Sequence, residues 1–219
     1  MLIIDQVLDA DDLERVRRGL AAAAFAPGKK TARGEAKAVK ANRQAAGGDP
    51  KVAALGRFVR QALERNALFR LYAQPARWST VMFNRYGVGE SYGLHLDDAM
   101  MDGEGRRLRT DLSFTLFLSG PESYEGGELV VDDLEGERAV RPPAGAVAVY
   151  ASGALHRVEA VRSGERLAAV GWVQSLVRRA DEREVLFDLG GARSTMPAGE
   201  GRMLLDKAIG KLVRLWGEP

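Results

Sequence analysis

Two stretches of the first 76 residues carry hydrophobic residues at helical spacing. In residues 9–25 the apolar positions that recur every three or four residues are Leu13, Val16, Leu20 and Ala24. In residues 52–66 they are Val52, Leu55, Val59 and Leu63. This spacing places each set on one face of an amphipathic helix. Asp9 or Asp11 is suited to cap the first helix, and Pro27-Gly28 to stop it.

From about residue 77 the pattern changes to short runs that are rich in β-branched and aromatic residues. The predicted strands are RWSTVMFNRY, YGLHLD, RTDLSFTLFLS, GGELVVDD, AVAVYAS, LHRVEAV and RLAAVGWVQSLV. The segments between them contain Gly, Pro, Asp and Ser, which favour turns: GVGES, SGPESYEGG, DLEGE, RPPAG and RSGE. Short strands without intervening helices are typical of an antiparallel barrel or a double-sheet jelly roll.

After this region the chain returns to a helical pattern, with Ala180–Phe187 and Leu204–Trp216 as predicted helices. We therefore predict a mainly β fold with flanking α-helices. Its parts are an N-terminal helical support region (1–76), a double-stranded β-helix, or jelly-roll, core (77–177), and a C-terminal helical extension (178–219). The apolar, tryptophan-bearing tail could pack on this core or on a second copy of the chain, so a homo-oligomer is one expectation.

The composition, with 46% hydrophobic and 28% charged residues, is that of a globular protein. Cysteine is absent, which excludes disulfides, zinc–thiolate sites and cysteine nucleophiles. No apolar run is long enough to span a membrane, and the first residues resemble neither a secretory signal nor an Arg-rich transit peptide. We therefore expect a cytoplasmic protein with no membrane partner.

The formal net charge is only +2, but the excess of positive charge is local. Between residues 29 and 43 a single acid, Glu35, faces six basic residues: Lys29, Lys30, Arg33, Lys37, Lys40 and Arg43. The favoured interpretation is a solvated loop or helix face. The alternative is a docking surface for an acidic partner or substrate. The segment has no aromatic platform for bases, so no nucleic-acid partner is expected.

The chain has only two histidines, and both fall in predicted strands. His95 and Asp97 are two residues apart, so in a strand their side chains project from the same face. His156, near the end of a later strand, could supply a third ligand. Two imidazoles and one carboxylate form the facial triad of non-haem Fe(II) oxygenases, which leaves coordination positions open. Zn(II) accepts the same ligands, so the three residues do not fix the metal.

Arg166 follows the RSGE turn that comes after His156, and a hairpin would return it to the metal site. A guanidinium matches a carboxylate with two parallel hydrogen bonds. Arg166 is therefore a candidate to hold the far carboxylate of a dicarboxylic co-substrate whose other end chelates the metal. The alternative is a surface salt bridge, for instance to Glu165 or Glu159.

A set of ordered blocks resembles the bacterial PKHD-type hydroxylases, in the prolyl 4-hydroxylase-like branch of the Fe(II)/2-oxoglutarate dioxygenases. The blocks are FNRYGVGESYGLHLD, RTDLSFTLFLS, YEGGELVV, PAGAVAVY, LHRV and GERLAAVGWVQSLVR. The resemblance covers most of the chain, including VKANRQ near residue 40 and the helical tail. It implies that His95, Asp97 and His156 are the iron ligands and that Arg166 binds 2-oxoglutarate.

Two further residues are weaker candidates for binding 2-oxoglutarate. Tyr86 lies on the strand that precedes His95, and a structural role with a satisfied hydroxyl is the alternative for it. Thr115 could reach a carboxylate oxygen. In related hydroxylases a tyrosine on the Thr115 strand often helps to bind this carboxylate, but Phe117, on the same face, has no hydroxyl. No catalytic residue is expected beyond the metal centre.

The resemblance implies an Fe(II)- and 2-oxoglutarate-dependent dioxygenase that consumes O₂, releases succinate and CO₂ and uses ascorbate as reductant. Related halogenases lack the carboxylate that Asp97 provides, so its presence favours hydroxylation. The substrate is expected to be a small molecule or a peptidyl group, with a link to bacterial iron homeostasis. The alternatives are a cupin-like metal-binding jelly roll that lacks oxygenase activity and a non-enzymatic binding module.

Overall fold

A computed structural model describes residues 1–31, 34–103, 106–133 and 136–218 of the chain. Its helices are α1 (Ala10–Ala21), α2 (Gly34–Ala38), α3 (Pro50–Arg65), α4 (Ala67–Ala73), α5 (Ala180–Thr195) and α6 (Glu200–Trp216). Its strands up to the middle of the chain are β1 (Leu2–Ile4), β2 (Phe25–Pro27), β3 (Lys40–Ala41), β4 (Arg43–Ala45), β5 (Pro75–Trp78), β6 (Met82–Tyr86), β7 (Ser91–His95), β8 (Met100–Gly103) and β9 (Arg106–Arg109). The later strands are β10 (Leu112–Phe117), β11 (Tyr124–Gly126), β12 (Leu129–Asp133), β13 (Gly136–Val140), β14 (Val147–Ala151), β15 (His156–Val158), β16 (Val161–Gly164) and β17 (Arg166–Ser175).

The strands form two main antiparallel sheets that face each other. The major sheet has the order β1-β14-β10-β17-β6-β4-β2, with β5 pairing to β17, and the minor sheet has the order β13-β12-β15-β7-β3. Neighbours in these orders are mostly distant in sequence, as in a jelly roll, where the chain alternates between the two sheets. The predicted fold class, a jelly roll buttressed by helices, is confirmed.

The major sheet buries both of its faces, and strand β10 shows how. Its residues alternate between the two sides because successive side chains of a strand point in opposite directions. Leu112, Phe114 and Leu116 join an apolar core that includes residues of α1, α3 and α4, whereas Phe117 joins a smaller cluster between the sheets. The sheet therefore separates a helix-facing layer from an inter-sheet cavity.

The helices that cover the major sheet begin at side-chain caps that the sequence supplies. The Asp9 carboxylate accepts a hydrogen bond from the backbone N–H of Asp12 at the start of α1. Asp49 caps α3 in the same way, with Pro50 at its first turn, and Asn66 caps α4. Each cap satisfies a backbone donor that has no partner within the helix.

The N-terminal 76 residues contribute strands as well as helices, which the description of this region as helical missed. Helix α1 ends at Ala21 rather than near residue 25, because Phe25–Pro27 forms β2 and pairs with β4. Strand β3 lies within the basic segment of residues 29–43 and β4 begins at its last residue; they extend the minor and the major sheet respectively. Strands of two or three residues are too short to show a period in the sequence. The domain boundaries at 76 and 177 stay predictions.

The C-terminal helices occupy the predicted region, and α5 contacts α4 through the edge-to-face rings of Tyr72 and Phe187. Helix α6 exposes Met203, Leu204 and Leu215. Among the described residues, no helix combines the length and apolar character that a membrane crossing needs.

Candidate active site

Three candidate metal ligands converge between the two sheets. Strand β7 ends at His95, and β15 begins at His156, which pairs directly opposite His95 in the minor sheet. Asp97 follows the end of β7, although the predicted strand extended to it. The alternation still holds there, because Leu96 is 51% exposed while the side chain of Asp97 is only 9% exposed. The potential ligand atoms of the three residues all lie within 4.8 Å of one another.

Both imidazoles are oriented by the backbone. Nδ1 of His95 lies 2.8 Å from the Gly93 carbonyl oxygen, and Nδ1 of His156 lies 3.0 Å from the Ala154 carbonyl oxygen. A carbonyl oxygen can only accept, so a neutral imidazole places its proton on Nδ1 and leaves the lone pair on Nε2. Metal-binding histidines commonly have this arrangement, in which the nitrogen that does not bind the metal donates its proton to a carbonyl oxygen.

The packing around His95 keeps its ring neutral. Its ring stacks on that of Tyr92 with 3.6 Å between centroids, and the His156 ring lies 4.2 Å away. Burial, with a smaller contribution from His156, lowers the pKa of His95 to about 4. A neutral imidazole is the form that binds a metal ion.

The Asp97 carboxylate is held by a serine of the opposite sheet. Ser113 Oγ donates a hydrogen bond to Asp97 Oδ2 at 2.6 Å and lies 2.9 Å from Ser152 Oγ. His156 Nε2 lies 3.6 Å from the same Asp97 oxygen. The two sheets are thus tied together at the residue that would provide the only carboxylate ligand of the site.

The donor set fits a divalent metal of intermediate softness. Two imidazole nitrogens and one carboxylate on one side of an ion suit a non-haem Fe(II) site with open positions, and Zn(II) accepts the same groups. The buried histidines and the oriented carboxylate favour such an ion over an unfilled cluster, because Asp97 has no lysine or arginine within ion-pair distance among the described residues and only His156 Nε2 lies within reach, at 3.6 Å.

Arg166 begins β17 and is buried, with only 1% of its surface exposed. Its guanidinium lies 5.2 Å from the Tyr86 ring centroid and 5.0 Å from that of Phe117. Nε and Nη2 have no hydrogen-bond partner in the described part of the protein. Among these residues no carboxylate pairs with Arg166 either, so the predicted alternative of a surface salt bridge is wrong; Glu165 instead pairs with Arg85.

The backbone next to Arg166 requires a glycine. Gly127 has φ +63°, and a Cβ there would lie 3.1 Å from Cδ of Arg166 and 3.0 Å from Val161. The register of β11 and β16 shifts between Glu125 and Gly126, as at a β-bulge. The Gly-Gly pair therefore leaves room for the buried guanidinium.

The histidines, Asp97 and Arg166 line one cavity, which has about 800 Å³ of empty space including its open mouth. Several polar atoms lie buried at its wall without a partner in the described residues: Asn84 Oδ1, Trp172 Nε1 and the two Arg166 nitrogens. Trp172 as a whole is only partly buried. Unpaired buried polar groups are costly, so this wall is suited to a polar ligand.

Both weaker candidates also line the cavity. Burial raises the pKa of Tyr86, and the positive charge of Arg166, which lines the same cavity, opposes the shift. Thr115 is buried on the cavity side of β10. Its side chain also affects the pKa of Tyr150, which places the two side chains next to each other.

Tyr150 was missed in the sequence. It lies on β14, beside β10, and packs against the His156 ring at 5.1 Å between centroids. Burial raises its pKa, so the phenol stays protonated. The strand AVAVYAS was recognised, and the alternation of its residues would have placed Tyr150 and Ala148 on the same face. Ser113 was missed for a similar reason, because a serine two residues before Thr115 carries no signal of its own.

The basic segment is divided by the fold. Lys29, Lys30 and Lys37 are exposed, as the favoured interpretation predicted. Lys40 contradicts it: the side chain is only 4% exposed and lines the cavity of the candidate metal ligands. The cause is β3, which pairs Lys40 with Tyr92 of β7 and turns the lysine inward.

Sequence comparisons identify the family. Residues 81–174 match the model of the 2OG-Fe(II) oxygenase superfamily. A PKHD-type hydroxylase of Picosynechococcus sp. is 46% identical over 219 residues, which are 98% of each protein. A PKHD-type hydroxylase of Acaryochloris marina is 46% identical over 222 residues, which are 100% of each protein.

Solved structures support the fold. A prolyl-4-hydroxylase of Pseudomonas putida aligns with a TM-score of 0.51 and 23% identity, covering 80% of this chain and 91% of that one. A prolyl hydroxylase of Trichoplax adhaerens, solved with a hypoxia inducible factor peptide fragment, aligns with a TM-score of 0.57 and 17% identity, covering 84% and 86%.

The family model, the relatives and the site agree on an oxygenase. The family implies Fe(II), 2-oxoglutarate and O₂ as its metal and co-substrates, and the cluster of two histidines and one aspartate is of the type that such a metal needs. The chain therefore belongs to the PKHD-type hydroxylases of the 2OG-Fe(II) oxygenase superfamily.

Proposed function

We propose that this protein hydroxylates an organic substrate while 2-oxoglutarate is converted to succinate and CO₂. One observation carries the proposal: a cluster of two histidines and one aspartate shares a cavity with Arg166, a buried arginine that has no anionic partner among the described residues. The first group suits a metal and the second suits a carboxylate. A 2-oxo dicarboxylic acid joins the two requirements in one molecule.

His95, Asp97 and His156 would hold the Fe(II) ion. Their Nδ1–carbonyl contacts leave Nε2 of each histidine available, and Ser113 fixes one oxygen of Asp97. Fe(II) with three protein ligands retains positions for a 2-oxo acid and O₂ and supplies the oxidising chemistry. The related halogenases lack the carboxylate that Asp97 would supply to the metal, so its presence favours hydroxylation.

Arg166 would bind the C5 carboxylate of 2-oxoglutarate. Its unpaired Nε and Nη2 are adjacent donors on the same edge of the guanidinium, the geometry that accepts a carboxylate with two parallel bonds. The rings of Tyr86 and Phe117 pack around the guanidinium and exclude water from it. A charge pair in such a dry site is stronger than in water.

Tyr150 would supply the hydroxyl that Phe117 lacks. It lies on β14, which pairs with β10, so its phenol reaches the same wall of the cavity as Thr115. Because burial keeps the phenol protonated, it can donate a hydrogen bond to a carboxylate oxygen. Tyr86 is the second candidate for this contact.

Several finer parts of the proposal come from the sequence and from the family resemblance. They are a small-molecule or peptidyl substrate, a role in bacterial iron homeostasis, ascorbate as the reductant that restores Fe(II), and a cytoplasmic location. None of them changes what the site residues do.

The binding test uses anaerobic titration of the protein with Fe(II) and then with 2-oxoglutarate, followed by the visible charge-transfer absorption of a chelated 2-oxo acid. Arg166→Met should weaken 2-oxoglutarate binding on the order of 100-fold, because it removes a buried charge pair, and should leave Fe(II) binding intact. Arg162→Met, which removes an exposed arginine four positions earlier, is the matched control. Metal binding without any 2-oxoglutarate binding in the wild type would sink the proposal and favour the cupin-like alternative.

A further inference from the structure

We propose that Lys40 binds an anionic group of the primary substrate, so that the hydroxylated molecule is an organic anion. This inference rests on the proposed function, because it takes His95, Asp97 and His156 as the reaction centre. Its basis is the position of Lys40 in the cavity and the incomplete set of partners around its ammonium group.

The ammonium of Lys40 lies inside the cavity rather than on the surface. The residue belongs to β3, at the edge of the minor sheet, and its side chain is 4% exposed. Nζ lies 5.0 Å from the ring centroid of Tyr92, whose ring in turn stacks on His95. Lys40 is therefore separated from a candidate metal ligand by a single aromatic ring.

The hydrogen bonds of Lys40 leave part of its capacity unused. In the described part of the chain, Nζ donates to Thr31 Oγ1 at 3.2 Å and has no carboxylate within ion-pair distance. An ammonium has three N–H donors. Lysine is rarely buried without a paired charge, so the free donors at the cavity wall are suited to an anion from outside the protein.

Lys40 also keeps its charge in this place. Burial lowers its pKa to about 8, and the nearby negative charge of Asp97 opposes part of this shift. The amine is thus mostly protonated at neutral pH. It can offer a positive charge to a ligand, as an unprotonated amine could not.

The co-substrate does not account for this positive charge. 2-Oxoglutarate has two carboxylates, one for the metal and one for Arg166. The histidine ligands belong to the minor sheet and Arg166 to the major sheet. Lys40 lies at a third place, on the edge strand β3, after which the chain crosses to the major sheet through β4. On the proposed function both carboxylates of 2-oxoglutarate are taken, so an anionic group at Lys40 would come from the substrate.

The rest of the wall around this part of the cavity indicates the body of the substrate. Apolar side chains line the same cavity as Lys40, among them Met82, Leu96, Met101 and Val170. Gln44 contacts both Met82 and Thr31, the partner of Lys40, so Met82 lies close to the lysine. A molecule with an apolar chain and one terminal oxyanion matches both features.

The test measures the binding of matched probes to protein loaded with Mn(II) and 2-oxoglutarate, which cannot turn over. Hexanoate and hexyl phosphate supply two kinds of oxyanion, and hexanamide supplies the same chain without charge. Isothermal calorimetry gives the dissociation constants. The variants are Lys40→Met, Lys40→Arg and the control Lys37→Met, which removes an exposed lysine of the same segment.

We expect at least one oxyanion to bind the wild type more tightly than hexanamide does. Lys40→Met should weaken that binding about 10- to 100-fold, the size of a hydrogen bond to a charged group. Lys40→Arg should retain most of it, and Lys37→Met should retain all of it. The stronger of the two oxyanions identifies the substrate as a carboxylate or a phosphate.

Three results would overturn the inference. The first is that no oxyanion binds the wild type better than the amide does. The second is that oxyanion binding is the same in Lys40→Met. The third is that Lys40→Met weakens 2-oxoglutarate binding as strongly as Arg166→Met does, since Lys40 would then be a co-substrate contact. If Lys40→Met does not fold, as thermal unfolding would show, Lys40→Ala and Lys40→Arg decide instead.

The proposed function itself is tested before any probe is added. A wild type that binds neither Mn(II) nor 2-oxoglutarate would overturn that function.

Discussion

The two faces of the major sheet are built from the same strands but have different roles: one packs against the helices, and the other lines the cavity of the candidate site. On the helix side, Leu116 of β10 and Val149 of β14 belong to a large hydrophobic core that includes residues of α1, α3 and α4. On the cavity side, their neighbours Thr115 and Tyr150 are polar groups beside the candidate metal site. Arg166, two strands from β14, lies on this side too.

This difference shows where stability and function are placed in the protein. The helix side gains free energy from buried apolar surface and close packing. The cavity side keeps polar atoms that have no partner in the described residues, at Asn84, Arg166 and Trp172. Such atoms cost stability until a ligand pairs with them. Substitutions on the two faces should therefore have separable effects.

Asp97→Ala should have the largest effect, and only on the cavity side. Loss of an outer-shell partner typically weakens metal binding 10- to 100-fold, so loss of a ligand should weaken it on the order of 100-fold or more. The free energy of unfolding of the metal-free protein should change little. Fe(II) titration and urea unfolding measure the two quantities. A variant that keeps both metal affinity and 2-oxoglutarate-dependent turnover would remove Asp97 from the site.

Leu116→Ala should show the converse behaviour. It removes a fully buried side chain from the helix-facing core, and such substitutions lower the free energy of unfolding by about 2–5 kcal/mol. The folded fraction should still bind Fe(II) with nearly unchanged affinity, because Leu116 faces away from the ligands. Urea unfolding and metal titration at low temperature check this. A large loss of metal affinity without loss of stability would break the separation of the two faces.

Ser113→Ala tests the tie between the two sheets and should have a smaller effect. Without the hydrogen bond to Asp97 Oδ2, the carboxylate is less well oriented, and metal affinity should fall about 10-fold. Ser119→Ala is the control, since Ser119 lies after β10 and contacts Glu165 and Leu167 instead of the site. Equal metal affinities in the two variants would contradict the proposed role of Ser113.

Acid should lower the free energy of unfolding of the metal-free protein through His95, a residue of the cavity side. The pKa of His95 is about 4 in the folded protein, below its ordinary value of 6.5, so the unfolded chain takes up this proton first. The contribution of neutral His95 to the free energy of unfolding is fully present above pH 6.5 and is lost as the pH falls towards 4. Comparing the metal-free wild type with His95→Gln by urea unfolding at pH 7 and 4.5 should reveal a difference in this loss of about 2 kcal/mol. Identical pH dependence in both proteins would show that burial of His95 does not have this effect.

Much of this division could be predicted from sequence because the strands alternate. The period of two in YGLHLD places His95 and Asp97 on one side, and the structure brings them together with His156. Arg166 was predicted from the RSGE turn that precedes it and from the family resemblance, and it lines the same cavity as the candidate metal ligands. The prediction that Lys40 is exposed was wrong, because the strands around it are only two or three residues long and show no period in the sequence.

Tyr150 and Ser113 were missed for a different reason. Their importance depends on which strands become neighbours, and β10 pairs with β14 across a long separation in sequence. Local patterns show which face of a strand a residue occupies, but not what lies across from it. The sequence therefore did not show that the phenol of Tyr150 and the hydroxyl of Ser113, both on the cavity side of their strands, lie beside the metal ligands.

Succinate formation tests the central claim most directly. The protein is reconstituted anaerobically with Fe(II), then exposed to O₂ with 2-oxoglutarate and ascorbate, without a primary substrate. The wild type and Arg162→Met should form succinate slowly, whereas His156→Ala and Arg166→Met should form none above the background of free iron. Equal rates in all four proteins would contradict the account, because the turnover would then depend on neither the metal cluster nor the buried arginine.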